Sequence, residues 1–181
     1  MNSSTNIIES LPPDVLAINH QKFADNRGFL NCLLESDSSE HFDGYSLKMS
    51  NSKKYVARGM HWQNMSAKQE KSITVLSGSI LDILINLDSN SPKFKQTYRF
   101  ELAAKNGITL VIPPHYAHGF LALSEVDFLY FCKGKYSPAN EVTIRMVEFL
   151  SDKVATEDLI MSNKDVAAPT FDQIMTSHFS S

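Results

Sequence analysis

The chain has 181 residues, 43% of them hydrophobic, which is enough to bury a full core and fits one domain better than two. Its formal net charge is -3 and it carries no run of lysine or arginine, so nothing argues for a nucleic-acid groove, while a small local anion site for a phosphate-bearing molecule stays open. The two cysteines, Cys32 and Cys132, cannot build a disulfide framework and lack a CxxC spacing for zinc, so they read as packing residues in a reducing cytosol.

Taken from the start, MNSSTNIIESLPPDV lacks the basic region and apolar core of a signal peptide. No apolar run reaches the roughly 18 residues of a membrane span, so a soluble, cytoplasmic protein without membrane partners is expected. Short apolar segments then recur between Gly, Pro, Asn and Asp: VLAI, FLNCLLES, YSLKMS, KSITVLSGSILDILINL, QTYRFEL, GITLVIP, GFLALS, DFLYFCKGKY and EVTIRMVEFL. Regular short strands with turn signals between them predict an all-β sandwich or barrel. Ser77-Gly78-Ser79 reads as the turn of a hairpin, and Pro113-Pro114 marks a loop or edge between two further strands. Helix is expected only in short pieces, around Ser36 to His41, Lys153 to Ile160 and Thr170 to Met175. The whole chain, 1–181, is read as one domain: a barrel over about 15–150 and a more polar tail, 151–181, that wraps it.

The polar stretch RGMHWQNMSAKQEK, Arg58 to Lys71, stands out among strand formers. Side chains alternate along a strand, so His61 and Gln63 should share a face, as should Gln69, Lys71 and Ile73, with Glu70 turned away. A metal needs three or four converging N, O or S ligands. Here the pattern supplies His61 and His118, with Gln63 where another histidine would be convenient, and a lysine beside a divalent ion would be repelled. No metal is therefore expected. Taken singly, each candidate also has a plain reading: a strand histidine is commonly a hydrogen-bonded structural residue, Lys71 a solvated lysine, Tyr130 a packing aromatic, and Arg27 and Arg58 surface residues.

Taken jointly, the residues resemble the dTDP-4-dehydrorhamnose 3,5-epimerase family, sugar epimerases of the cupin superfamily. The resemblance rests on FADNRGF (Phe23 to Phe29), RGMHWQ (Arg58 to Gln63) with QEK (Gln69 to Lys71), LDSNSPKF (Leu87 to Phe94), IPPHYAHGFLALSEVDFLY (Ile112 to Tyr130) with KYSPANE (Lys135 to Glu141), and MSNKDVAAP (Met161 to Pro169), all in the family's order. It implies a cupin-type double-stranded β-helix, or jelly-roll barrel, with short peripheral helices in the tail. It further implies an isomerase that needs no cofactor, acting on a nucleotide-diphospho-4-keto-6-deoxy sugar at C3, C5 or both.

Residue by residue, the resemblance makes His61 the general base, Asp165 its partner, Lys71 the group at the substrate carbonyl and Tyr130 the proton donor on the opposite face. His118 would line the same pocket with Gln63, and Arg27 and Arg58 match diphosphate-binding arginines. Arg27 is expected from the partner subunit of a homodimer that exchanges its N-terminal strand. Tyr136 and Glu141 fall on the nucleotide-sugar side.

The chemistry suits these types: a C–H beside a ketone is acidic only when the enolate is stabilised, so a base is needed at carbon and a cation at oxygen. The chain departs from the family at Leu30 and Cys32, where an aromatic and an acid are usual, at Leu47-Lys48-Met49, at Val166, and at IRMVE, Ile144 to Glu148. The nucleotide is thus left open among dTDP, CDP, GDP and UDP. A 3,4-ketoisomerase and a non-catalytic sugar-nucleotide-binding cupin are the alternative readings.

Overall fold

In a computed structural model the structure describes residues 11–19, 22–25, 28–31, 45–134, 136–150 and 154–179. Arg27, Cys32 and the helix expected around Ser36 to His41 lie outside them. Among the described residues there are twelve strands: β1 (Leu16–Asn19), β2 (Lys22–Asp25), β3 (Gly28–Asn31), β4 (Tyr45–Ser52), β5 (Ala57–Gln63), β6 (Glu70–Ser77), β7 (Ser79–Asn86), β8 (Thr97–Ala103), β9 (Ile108–Ile112), β10 (Tyr116–Ala122), β11 (Val126–Lys133) and β12 (Glu141–Thr143). Two short helices follow in the tail, α1 (Asn163–Val166) and α2 (Phe171–Phe179), besides single 3₁₀ turns such as Thr156–Asp158.

Two five-stranded antiparallel sheets face each other, one in the order β1-β9-β6-β11-β4 and the other β12-β5-β10-β7-β8. From β4 to β7, and again from β8 to β12, each strand crosses to the opposite sheet, which is the winding of a jelly roll. Ser77-Gly78-Ser79 is accordingly not a hairpin turn. It carries the chain from β6 in one sheet to β7 in the other, and the true hairpin partner of β7 is β8. A single glycine between two apolar runs looks the same in sequence either way. Gly78 has φ +75, and a Cβ there would stand 2.0 Å from the Glu125 carbonyl oxygen, so the crossing admits no larger residue.

The core lies in two layers. Between the sheets sit Ile73, Val75, Ile80, Leu84, Phe100, Leu110, Ile112, Phe120 and Phe128, all buried. Behind the second sheet, Met60, Trp62, Leu81, Ile83, Ile85, Leu121, Ile144 and Met146 are covered by tail residues that include Ile174 and Met175 of α2. This explains why ILDILIN is apolar on both faces: β7 is buried from either side, as continuous apolar runs imply. EVTIRMVEFL is a strand only over Glu141–Thr143 and then turns into a 3₁₀ segment, Met146–Phe149, that buries Met146 and Phe149 on this outer layer.

One irregularity positions the site. Along β10 the step from His118 to Phe120 is two residues, but on β5 their partners are His61 and Arg58, so β5 holds one extra residue. This bulge puts Arg58 and His61 on the same face although their spacing is odd. It depends on Gly59, whose φ is +115 and where a Cβ would stand 2.6 Å from the Cα of Gly119 and 2.8 Å from the His118 carbonyl oxygen.

Candidate active site

One end of the inter-sheet space opens as a cavity of about 340 Å³, lined by side chains from β4, β5, β6, β10, β11, β12 and α1. His61 projects into it from β5 and His118 from β10, directly opposite across the strand pair. The His61 Nε2–H donates to Asp165 Oδ1 at 2.7 Å. Asp165 is buried, and its second oxygen accepts from Ser162 Oγ at 2.8 Å, while Ser162 also caps α1 by accepting from the Asp165 N–H at 3.1 Å. Burial works against the carboxylate charge, but the hydrogen bonds from His61 and Ser162 and the charges of His61 and Lys164 together outweigh it and hold Asp165 below the usual carboxylate range. An ionised Asp165 on Nε2 leaves Nδ1 as the basic nitrogen of His61.

Lys71 enters from β6 and donates from Nζ to the His61 carbonyl oxygen at 3.1 Å, which fixes the ammonium beside the histidine. Burial pushes its pKa below the ordinary lysine value; the charge of Lys48 adds to this, and Cys132, Glu141 and Asp82 oppose it. Gln69 and Ile73 line the same cavity, whereas Glu70 does not, in keeping with strand parity. Tyr130, on β11, packs its ring against Phe128 in a tilted pair, 50° between planes, at a centroid distance of 5.7 Å. Its ring lines the cavity, and the structure gives its hydroxyl no protein hydrogen bond among the described residues.

His118 carries a carboxylate of its own, Nε2–H to Asp82 Oδ1 at 2.7 Å, and both residues are buried. Among the described residues, nothing hydrogen-bonds to the buried Asp82 Oδ2. Burial pushes the Asp82 pKa up, against the charge and hydrogen bond of His118 and the charge of Lys71. Sequence reasoning missed Asp82, although it carried a signal: it is the single charged residue in the otherwise apolar run ILDILIN.

The expected binding residues divide into two groups. Arg58 lines the cavity, its Nε donating to Ser52 Oγ at 3.0 Å. Gln63 is buried elsewhere: its amide donates to the Ala67 carbonyl oxygen at 2.7 Å and accepts from the Ser137 N–H at 2.6 Å, which ties down the connection after β5. Tyr136 and Glu141 reach the cavity mouth but bind each other, Tyr136 OH donating to Glu141 Oε2 at 2.8 Å. The same oxygen accepts from Lys164 Nζ. Burial, the largest single effect, works against the Glu141 charge, but the hydrogen bonds from Lys164 and Tyr136 and the charges of His61 and Lys164 together outweigh it and hold Glu141 below the ordinary carboxylate range.

A histidine with its carboxylate, a fixed ammonium and an unengaged phenol around one cavity make this a jelly-roll barrel equipped for proton transfer at a carbon beside a carbonyl. Residues 10–173 match the family described as dTDP-4-dehydrorhamnose 3,5-epimerase. The chain is 33% identical over 181 residues to the Salmonella typhimurium dTDP-4-dehydrorhamnose 3,5-epimerase, covering 93% of this chain and 97% of that one. The crystal structure of dTDP-4-dehydrorhamnose 3,5-epimerase from Sulfolobus tokodaii superposes with a TM-score of 0.78 at 33% identity, over 90% of this chain and 93% of that one. The Legionella pneumophila structure, a dTDP-6-deoxy-D-glucose-3,5-epimerase in complex with dTDP-4-keto-L-rhamnose, gives 0.76 at 29% identity over 90% of both. The chain belongs to the dTDP-4-dehydrorhamnose 3,5-epimerase family, has its cupin-type β fold, and is an epimerase, hence an isomerase.

Proposed function

We propose that the protein inverts C3, C5 or both in a nucleotide-diphospho-4-keto-6-deoxy sugar, with His61 as base, Asp165 as its partner, Lys71 at the ketone oxygen and Tyr130 as acid. The observation that carries this reading is the convergence of the His61–Asp165 pair at 2.7 Å with Lys71 and Tyr130 on one cavity. Nδ1 of His61 takes the proton from the carbon beside the ketone, and the electrons of that C–H bond move to the carbonyl oxygen. Asp165 stabilises the imidazolium, and the ammonium of Lys71 stabilises the enolate. His118, with a ring N–H committed to Asp82, has its tautomer fixed and lines the same cavity. Tyr130 then returns a proton to the other face of the carbon, and exchange with water restores the phenol and the neutral imidazole.

Arg58 is assigned to the diphosphate, with Arg27 arriving from the partner subunit of a strand-exchanged homodimer. Support for that dimer comes from three observations. Among the described residues the β2–β3 hairpin joins neither large sheet, β4 ends its sheet, and Met49 on β4 is 62% exposed where it pairs with Leu129. A cytoplasmic site of action is part of the same reading.

The test is incubation in deuterated water with dTDP-, CDP-, GDP- and UDP-linked 4-keto-6-deoxy sugars. Deuterium at C3 or C5, with the ketone still at C4, is the expected result for at least one nucleotide. A ketone moved to C3 would make the protein a ketoisomerase, and no deuterium with any of the four would leave only a binding role.

A further inference from the structure

The N-terminal part of the chain is held by very little sheet. β1 is four residues long, ends its sheet and, among the described residues, pairs only with β9, from Leu16 opposite Val111 to Asn19 opposite Ile108. A short edge ladder of this kind opens readily by itself. Beyond it the β2–β3 hairpin joins neither large sheet among the described residues, so the direction of this arm depends on how firmly the chain is held at β1.

Just before β1, Asp14 reaches out of that sheet. Its Oδ1 accepts from the Tyr116 hydroxyl, and its Oδ2 accepts from the His115 Nε2–H at 2.5 Å. Tyr116 opens β10 in the opposite sheet and His115 precedes it, so one carboxylate ties the entry of β1 across to the second sheet. None of the three lines the cavity.

The receiving side is itself well held. The Leu87 N–H donates to the His115 carbonyl oxygen at 2.9 Å, Trp62 Nε1–H to that of Pro114 at 3.0 Å, and the Tyr116 N–H to that of Pro113 at 3.1 Å. Tyr116 is buried, its ring centroid 4.6 Å from that of His115 and 6.5 Å from that of Tyr98. Burial, followed by the hydrogen bond and the charge of Asp14, pushes the phenol above the ordinary tyrosine value, so it stays a donor. Asp14, by contrast, keeps 43% of its side-chain exposure. A contact to so exposed an acid adds little to global stability, but it fixes the chain at the point where β1 begins.

We propose that Asp14, His115 and Tyr116 form a clamp on the base of the N-terminal arm, and that through it they position Arg27 for the diphosphate in the cavity of the partner subunit. They are positioning residues and touch no substrate. The inference rests on the strand-exchanged dimer proposed above, in which Arg27, between β2 and β3 in sequence, serves the other chain. An arm ordered in advance loses less freedom on binding, so the clamp acts on affinity and not on the chemical step.

The test has two arms. In amide hydrogen exchange of the unliganded protein, Asp14→Ala and Tyr116→Phe are expected to speed exchange over residues 16–19 and 22–31 by about tenfold, with Ile85 and Leu121 of the second sheet unchanged. His115→Gln, which keeps an N–H donor, is expected to stay with the wild type. In binding, the probe is inorganic diphosphate, which carries the group assigned to Arg27 and no base. Asp14→Ala is expected to weaken its affinity by about tenfold, Arg27→Ala by at least as much, and the double variant by no more than Arg27→Ala alone. In turnover, Asp14→Ala is expected to raise KM by a similar factor with kcat within about twofold.

Wild-type exchange over residues 16–31 in both Asp14→Ala and Tyr116→Phe would overturn the clamp. Additive losses in the double variant, or a lowered kcat at unchanged KM, would overturn its link to Arg27. If Tyr116→Phe fails to fold, Asp14→Ala, on the more exposed partner, decides alone. Should Arg27→Ala bind diphosphate no differently from the wild type, the assignment of Arg27 fails, and the exchange arm still decides whether the clamp holds the arm.

Discussion

The residue that says most about this site is a buried acid, Asp82. Asp82 is fully buried and gives one oxygen to His118, and among the described residues its other oxygen has no hydrogen-bond partner. Leaving such a group unsatisfied costs roughly 1–3 kcal/mol, so the residue does not owe its place to stability. The linkage points the same way. Burial raises the Asp82 pKa above its unfolded value, so the folded state binds more protons than the unfolded one, and the ionised form costs stability as pH rises from the ordinary carboxylate range. Asp82→Asn is therefore expected to keep or raise the melting temperature at neutral pH while lowering turnover by about tenfold or more, because an amide can donate to His118 as well as accept from it and no longer fixes its tautomer. A lowered melting temperature with unchanged turnover would make Asp82 a structural residue. His61, Lys71 and Tyr130 were legible in sequence only through the joint motif pattern, since each alone has a plain structural reading. Asp82 was not, because an acid in a strand announces itself only once both faces of that strand are known to be buried.

At the level of elements, the strand pieces were legible from alternation and punctuation, but their pairing was not. The Gly78 turn looked like a hairpin because local sequence encodes a reversal and not the sheet into which the chain returns. Parity likewise put Gln69, Lys71 and Ile73 on one face but could not see that Arg58 and His61 share one. That depends on a bulge, and so on Gly59 lying against Gly119. Gly59→Ala brings a positive φ and a backbone clash together, and strain of this kind costs about 1–3 kcal/mol before any relaxation. The expected outcome is a lower melting temperature together with loss of turnover larger than that of Gly107→Ala, a positive-φ glycine with open space around its missing Cβ. Equal losses in the two variants would show that the bulge does not set the site. Gln63 shows the same limit from the other side: a glutamine two residues from His61 is drawn to the Ala67 carbonyl and the Ser137 N–H, partners that come from turns no periodicity reveals.

For the whole molecule, the two sheets, the tail behind one of them and the open end between them follow from where apolar residues lie on one or both faces of each strand. The proposed homodimer adds a testable dependence of one chain on another. Arg27→Ala and His61→Ala should each be nearly inactive alone. Mixed and allowed to exchange subunits, they should recover about a quarter of the wild-type sites, because a mixed dimer holds one site with an intact His61 and an intact Arg27 from its partner. No recovery despite proven exchange would place Arg27 in its own chain's site or outside any site. The account as a whole stands on His61 as the base, and the most direct measurement is the rate of deuterium entry from solvent into a 4-keto-6-deoxy sugar nucleotide by wild type and His61→Ala, with ligand affinity measured on both. The predicted result is a fall of about 10²- to 10⁴-fold in that rate at nearly unchanged affinity. Deuterium entry at the wild-type rate in His61→Ala would contradict it.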